Sequence, residues 1–338
     1  MHPWVERPTI TVDLARVRCG ESPDLPAEAI ASAQALLGEV MATIPRKARL
    51  LAYWVAVRTR HRFGREFKAA ARVIGADRRD VALANLSYDL VVGALGCSTI
   101  VLPTSQGPVI ARNMDWWPEE PLARASYLIR CINGSDWQFT SAGFPGAVGV
   151  VSGLSSRGFA VILNAVTSQD LVCKTGYPVL LHLRRVLEDA VDFADAVHRL
   201  SKQRLTTSAL FTVAGTSNDQ RVVIERAPKR HALRWGKPGA PLVTTNSYLL
   251  LDVPTGEQDA WDLYRTSCGR FGRLCDLATR KPFGTPVTDE ELLYWLTDAE
   301  VRQEITAQHV LIRPASREMR LFVPRWLVEA VPFRNMNS

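Results

Sequence analysis

Cys97 directly follows a glycine, Gly96, and precedes Arg112 by fifteen residues and Asp115 by eighteen. The segment between them, "STIVLPTSQGPVIARNMDWW", alternates like two strands about a turn, so the three side chains belong to one hairpin. A cysteine after a glycine becomes chemically special if the bond between them breaks. Cys97 would then carry both a thiol and a free α-amine. An α-amine ordinarily titrates at about 7.7–8.0 and a thiol at about 8.5. Held together, the amine serves as general base for the thiol, and no histidine is required. Arg112 would favour the thiolate, and Asp115 would orient the terminal ammonium. Gly96 suits the distorted backbone that attack on its own carbonyl demands.

Residue types alone leave a plainer reading open. A cysteine opening a strand is commonly a buried small hydrophobe. Asp115, beside two tryptophans, also reads as a turn residue, and Arg112 as an ordinary ion-pair partner.

The elements that must position these groups follow from periodicity. Residues 27–92 read as helical: "AEAIASAQALLGEVMATI" and "RKARLLAYWVAVRTR" carry apolar residues at three- and four-residue spacing, and a third helix is expected over "RDVALANLSYDLVVGA". From Ser98 the period changes to that of strands. Hairpins are expected at "STIVLP"/"PVIARNMDW", "SYLIRCI"/"WQFTSAG" and "AVGVVSGL"/"FAVILNAV". Helices over "YPVLLHLRRVLEDAVDFADAVHRL" separate them from a second strand group, "SALFTVAG", "QRVVIERA", "HALRW" and "PLVTTN". A helix is expected over roughly 257–280, and Thr288 with Glu291 forms a capping box. "HVLIRP" and "REMRLFVP" make a last hairpin. This order predicts two packed sheets with helices outside.

The 338 residues are 47% hydrophobic and 22% charged, a globular composition. The six cysteines form no C-x-x-C pair and the six histidines no ligand spacing, so no metal and no cofactor is expected. "GVVSGLSSRG" is not a nucleophile elbow, because Ser152 and Ser155 are wrongly spaced from the glycines. The start "MHPWVERPTITVDLARV" lacks the pattern of a secretory signal, and no run reaches ~18 apolar residues; a cytoplasmic location is expected. Part of the net charge of +7 lies in "RTRHRFGREFK", Arg58 to Lys68. That cluster reads either as a solvated helix face or as a contact for an anionic lipid surface. No signature of nucleic-acid binding accompanies it.

The hairpin motifs also carry a resemblance. "YDLVVGALGCSTIV" followed by "GPVIARNMDWW" resembles the cleavage region of the acid ceramidase and N-acylethanolamine-hydrolysing acid amidase family. These are N-terminal-nucleophile (Ntn) hydrolases related to the choloylglycine hydrolases and penicillin acyltransferases. "FPGAVGVVSGLSSRGFAVILN" is similar to the family's glycine-rich strand pair, "VTTNSY" to its Thr-Asn-Tyr segment, and "TITVDL" to its first strand. The resemblance implies an α+β fold, a four-layer αββα sandwich with an N-terminal helical segment. It implies a mostly helical, propeptide-like segment 1–96 and a catalytic segment 97–338 that stay associated after autocleavage between Gly96 and Cys97. The activity implied is hydrolysis of a linear amide bond in a small N-acyl substrate through an acyl-thioester on Cys97. Acyl transfer to an amine, or an uncleaved domain that binds ligands or lipid, are the alternatives. Carried over by position, Cys97 is the nucleophile, Arg112 and Asp115 flank it, and Asn246 donates to the oxyanion. Asn164 lies near the acyl pocket, and Arg265 or Arg270 supplies a further substrate-binding arginine. The lipid amidases have a glutamate where this chain has Ala165, a departure that bears on ceramide or N-acylethanolamine specificity and leaves the nucleophile untouched.

Overall fold

Strands and helices sort into layers as the alternating and helical periods require. The computed structural model describes residues 2–91, 95–251, 266–281 and 285–329. Strands are numbered in chain order. The first sheet runs β1 (Trp4–Glu6), β14 (Glu318–Pro324), β13 (Thr306–Arg313), β4 (Gly107–Asp115), β3 (Gly96–Thr104), β12 (Leu242–Thr244). The second runs β11 (His231–Trp235), β10 (Arg221–Arg226), β9 (Ala209–Ala214), β8 (Ala160–Asn164), β7 (Ser152–Ser155), β6 (Asp136–Gly143), β5 (Tyr127–Asn133), β2 (Thr9–Asp13). All of these pairings are antiparallel except β2 with β5.

The two sheets face each other over Val101, Ile110, Val310, Leu154, Ile162 and Val223. Alternation along each strand gives the opposite faces to helices. Helices α10 (Ser267–Thr279) and α11 (Asp289–Thr297) cover Ile100, Val109 and Leu311 of the first sheet. Helices α8 (Val179–Asp189) and α9 (Phe193–Lys202) cover Leu163, Phe211 and Ile224 of the second. The result is the four-layer αββα sandwich that the sequence predicts.

The N-terminal segment is mostly helical but opens on strands, one of them at the expected "TITVDL". Its first thirteen residues place β1 in one sheet and β2 in the other. The helices that follow are α1 (Leu14–Arg18), α2 (Ala27–Thr43), α3 (Leu51–Arg58), α4 (Gly64–Ile74), α5 (Arg78–Ala84) and α6 (Ser87–Val91). The single helix expected over "RDVALANLSYDLVVGA" is therefore two. Asn85 ends α5: its Nδ2 donates to the Val81 carbonyl, and its Oδ1 accepts the N–H groups of Val148 and Gly149 at 2.8 and 2.7 Å. A side chain committed to another element's backbone stops the helix where propensity would continue it. Over 177–200, where helices are expected, there are two, and Asp192 begins the second by capping α9 through the Asp195 N–H. The helix expected from about residue 257 is seen from Ser267; its earlier part lies outside the described residues. Sequence reading passed over α7 (Glu119–Ala125) and α12 (Arg325–Glu329).

The basic run Arg58–Lys68 is not one helix face. It turns through Arg60 and His61, both with positive φ, between α3 and α4. Arg58 donates to the carbonyls of Thr175 and Gly176, Arg62 to Glu188 and Asp189, and Arg65 to the Arg18 carbonyl. Among the described residues, no helix is long and apolar enough to cross a membrane.

Candidate active site

β3 and β4 form the hairpin at the centre of the site, with Cys97 opposite Met114, Thr99 opposite Arg112 and Gly96 opposite Asp115. Residues paired across two strands point to the same face. Cys97, Thr99, Arg112 and Met114 therefore enter the space between the sheets, while Ser98, Asn113 and Asp115 point towards α10 and α11. The turn closes on Gly107, whose φ of 95° and contact with the Thr216 carbonyl leave no room for a side chain.

Arg112 is fully buried. Its Nη2 lies 3.1 Å from Cys97 Sγ and donates to the Leu163 carbonyl at 3.1 Å; its Nη1 donates to Ser152 Oγ at 2.8 Å. Both oxygen acceptors are neutral. A guanidinium out of water with neutral acceptors is poorly compensated, and the thiol is the group beside it that gains charge by losing a proton. The Cys97 sulfur is thus one of three groups that the guanidinium meets, and the Leu163 carbonyl is shared between Arg112 and the thiol, 3.7 Å from Sγ. Ser152 and the Leu163 carbonyl were not anticipated. Nothing in the sequence marks a serine hydroxyl from another sheet as an arginine's partner.

Asn246, just beyond β12, is oriented without ambiguity. Its Oδ1 accepts the Cys97 N–H at 3.1 Å and Arg270 Nη2 at 2.8 Å, and its Nδ2 donates to the Ala165 carbonyl at 2.8 Å. An amide nitrogen carries two N–H groups, so one is available beyond the Ala165 bond. Ser267 braces this residue from behind, accepting the Asn246 N–H at 3.0 Å.

Arg270 belongs to the same cluster. From α10, its Nη1 donates to the Cys97 carbonyl at 2.7 Å and to Ser98 Oγ at 2.8 Å. It thereby holds the chain on the C-terminal side of the Cys97 Cα, while Asn246 holds the N–H on the other side. Arg265, the other candidate arginine, lies outside the described residues.

Asp115 is buried alongside Gly96 but on the opposite face of the hairpin from the thiol. Its Oδ1 accepts the Thr306 hydroxyl at 2.6 Å, and Arg270 Nη1 stands 4.0 Å from its Oδ2. Burial pushes this carboxyl up, and Arg270, Thr306 and Arg112 oppose that shift. In the continuous chain Asp115 therefore rests on Thr306 and Arg270. Asn164 is spent on the fold: Thr99 donates to its Oδ1, and its Nδ2 donates to the carbonyls of Thr244 and Thr245. With both amide protons engaged, it clasps the two sheets together and has none left for a ligand.

A cavity of about 970 Å³ adjoins the hairpin. Leu36, Val40, Ile74, Met114, Trp116 and Leu180 contribute to its apolar wall, and Arg302, Gln303 and Glu304 make a polar stretch. Met114 is the register partner of Cys97, and Leu95 of the lining lies two residues before it. Helices from before residue 97 and strands from after it share this wall. Among the described residues, no cluster of metal-ligating side chains occurs.

The fold and this arrangement define an N-terminal-nucleophile hydrolase. The chain belongs to the acyl-coenzyme A:6-aminopenicillanic acid acyl-transferase family, which it matches over residues 102–300. It is 25% identical to the N-acylethanolamine-hydrolyzing acid amidase of Caenorhabditis elegans, over 80% of this chain and 79% of that protein. It is also 25% identical to acid ceramidase of Balaenoptera acutorostrata scammoni, over 48% of this chain and 47% of that protein, so it spans about half the length of that relative. The solved structure of the Caenorhabditis elegans amidase superposes with a TM-score of 0.53 at 20% identity, covering 65% of this chain and 93% of the other.

Proposed function

We propose that the protein is an autoprocessed cysteine amidohydrolase that cleaves a linear amide bond of an N-acyl substrate with an apolar acyl group. One observation carries the reading. Cys97 has its thiol against a buried arginine and its N–H on an asparagine that retains a spare donor, and its register partner Met114 lines a largely apolar cavity.

The chain itself is the first substrate. The Cys97 thiol gives up its proton and adds to the Gly96 carbonyl, the C–N bond breaks as the leaving Cys97 nitrogen takes up that proton, and the acyl group passes to sulfur. Water then hydrolyses the thioester, leaving a Gly96 carboxylate and a Cys97 bearing thiol and amine. In the second phase the amine takes the thiol proton, and the thiolate attacks the substrate carbonyl. The amine returns the proton to the leaving nitrogen, and water releases the acid from the thioester. Asn246 donates its free N–H to the oxyanion, Arg112 stabilises the thiolate, and Asp115 receives the new ammonium. Arg270 holds the Cys97 carbonyl and Asn246 in place. Segments 1–96 and 97–338 stay together, since they share both sheets and the cavity wall.

The family's name supports a second reading, in which an amine takes the acyl group in place of water. A nucleophilic amine added during turnover would then yield a new amide.

The intact mass of purified protein tests the first phase. Wild type should give two pieces, the second of 338 − 96 = 242 residues. Cys97→Ala should remain whole, and cleavage of that variant at the same bond would remove the thiol from the mechanism.

A further inference from the structure

Thr306 stands at a break in the regular register of β13 against β4, directly opposite Asp115. Neither residue type nor spacing marks it in the sequence. Its hydroxyl oxygen accepts the Gln303 N–H at 2.9 Å, while its own proton goes to Asp115 Oδ1 at 2.6 Å. The Gln303 N–H can only donate, so the hydroxyl's direction is fixed: it accepts from the backbone and donates to the carboxylate. A donor of fixed direction favours the ionised over the protonated form of Asp115. Both side chains are fully buried, so water does not substitute for this bond.

The bond belongs to a longer ring. Gln303 Oε1 accepts the Thr266 hydroxyl at 3.2 Å, and Arg270 Nε donates to Thr266 Oγ1 at 3.1 Å. Arg270 closes the ring on Asp115 at 4.0 Å. Gln303 and Thr266 also line the cavity, so the group that orients Asp115 is continuous with the cavity wall. The charged groups facing Asp115 are Arg270 from α10 and Arg112 from its own strand. His309, two pairs along the same ladder, bonds Asn113, and burial pushes it down to about 3, so it stays neutral.

We propose that Thr306 is a positioning residue for amide cleavage: its backbone-locked hydroxyl favours the charged form of Asp115 and fixes the carboxyl opposite Gly96, ready for the ammonium that cleavage creates. This rests on the reading of Cys97 as an N-terminal nucleophile. It adds a requirement that the nucleophile, the arginines and the asparagine do not meet, since none of them touches Asp115 Oδ1.

The test reads Asp115 directly. Infrared difference spectra against Asp115→Asn follow protonation of this one carboxyl as a function of pH, in cut and uncut chain alike. A hydrogen bond to a charged group corresponds to about one to two pH units. Thr306→Val should therefore raise the Asp115 midpoint by about that much, and the acid limb of Gly96–Cys97 cleavage should move with it. Thr306→Ser, which keeps the hydroxyl, should stay near wild type in both. If Thr306→Val does not fold, Thr306→Ala removes the same hydroxyl without adding bulk. An unchanged Asp115 midpoint in the hydroxyl-free variant overturns the proposal, and so does a serine variant that shifts as far as valine. A wild-type chain that is never cut, or a Cys97→Ala chain that is, defeats the nucleophile reading instead. The infrared midpoint decides the role of Thr306 in either case.

Discussion

At the scale of single residues, the site turns on how many hydrogen-bonding capacities each buried amide has left. Asn164 and Asn246 sit at comparable places, one ending β8 and the other just beyond β12, and the resemblance assigned work to both. Their inventories differ. Asn164 has used both amide protons, whereas Asn246 has used one and has its oxygen fixed by Cys97 and Arg270. A preorganised donor aimed at developing charge is worth about 3–4 kcal/mol, mostly in the transition state. Asn246→Ala, checked to be fully cleaved, should therefore turn over an accepted amide about a hundredfold or more slowly, with a smaller change in KM. Turnover within a few-fold of wild type would send the search for the donor elsewhere. Asn164→Ala should lower stability more than the rate per folded molecule, because what it loses is a clasp between the sheets. No sequence signal separates two asparagines at strand ends. The difference lies in partners eighty residues away.

At the scale of elements, the sequence was most legible where periodicity was strong and partners were local. The β3–β4, β5–β6 and β13–β14 hairpins lie where alternation placed them, and Thr288 caps α11 by accepting the Glu291 N–H at 3.2 Å. The reciprocal half of that box is absent among the described residues, because the Glu291 carboxylate goes to Lys281. Helix breaks were illegible wherever a distant partner made them. Asn85 is the clearest case. It sits in a run of good helix formers, yet its side chain serves two N–H groups of the segment after β6. Asn85→Ala would leave those N–H groups buried without an acceptor, at about 1–3 kcal/mol for an unsatisfied group. Urea unfolding should show a loss of about 2–3 kcal/mol. A change below half of that would mean that the break between α5 and α6 is set by something other than this side chain. Because Asn85 also lines the cavity, the loss should be smaller for a substitution that keeps an acceptor, such as Asn85→Asp.

At the scale of the whole molecule, the proposed cleavage at Gly96 asks what would keep residues 1–96 and 97–338 in one body. Part of the answer is shared sheets: β1 and β2, from before the bond, are edge strands of sheets built from after it. The other part is a charged cluster across the divide. Arg18, Arg62 and Glu66 from the first segment meet Arg184, Glu188 and Asp189 from the second. The ends of the basic run stay at the surface, but Arg62 at its middle belongs to this cluster. Burial alone would raise the Glu188 carboxyl, yet Arg184 and Arg18 outweigh burial and hold it at about 2. A carboxyl depressed in the folded state binds its proton more weakly there than in the unfolded chain. Its contribution is therefore complete above the ordinary glutamate range of about 4.3 and is lost as pH falls from there towards 2. Glu188→Gln removes that contribution at every pH. Breaking a buried pair costs about 3–5 kcal/mol, and the lower end applies because Glu66 and Asp189 still serve the three arginines. At neutral pH, Glu188→Gln should be about 3 kcal/mol less stable than wild type in urea. Between pH 4 and pH 2.5 the gap should narrow, since wild type loses there what the variant never had. A gap that stays constant through that range would show that the cluster acts through packing of its long side chains and not through charge, and that the segments are held by their shared sheets alone.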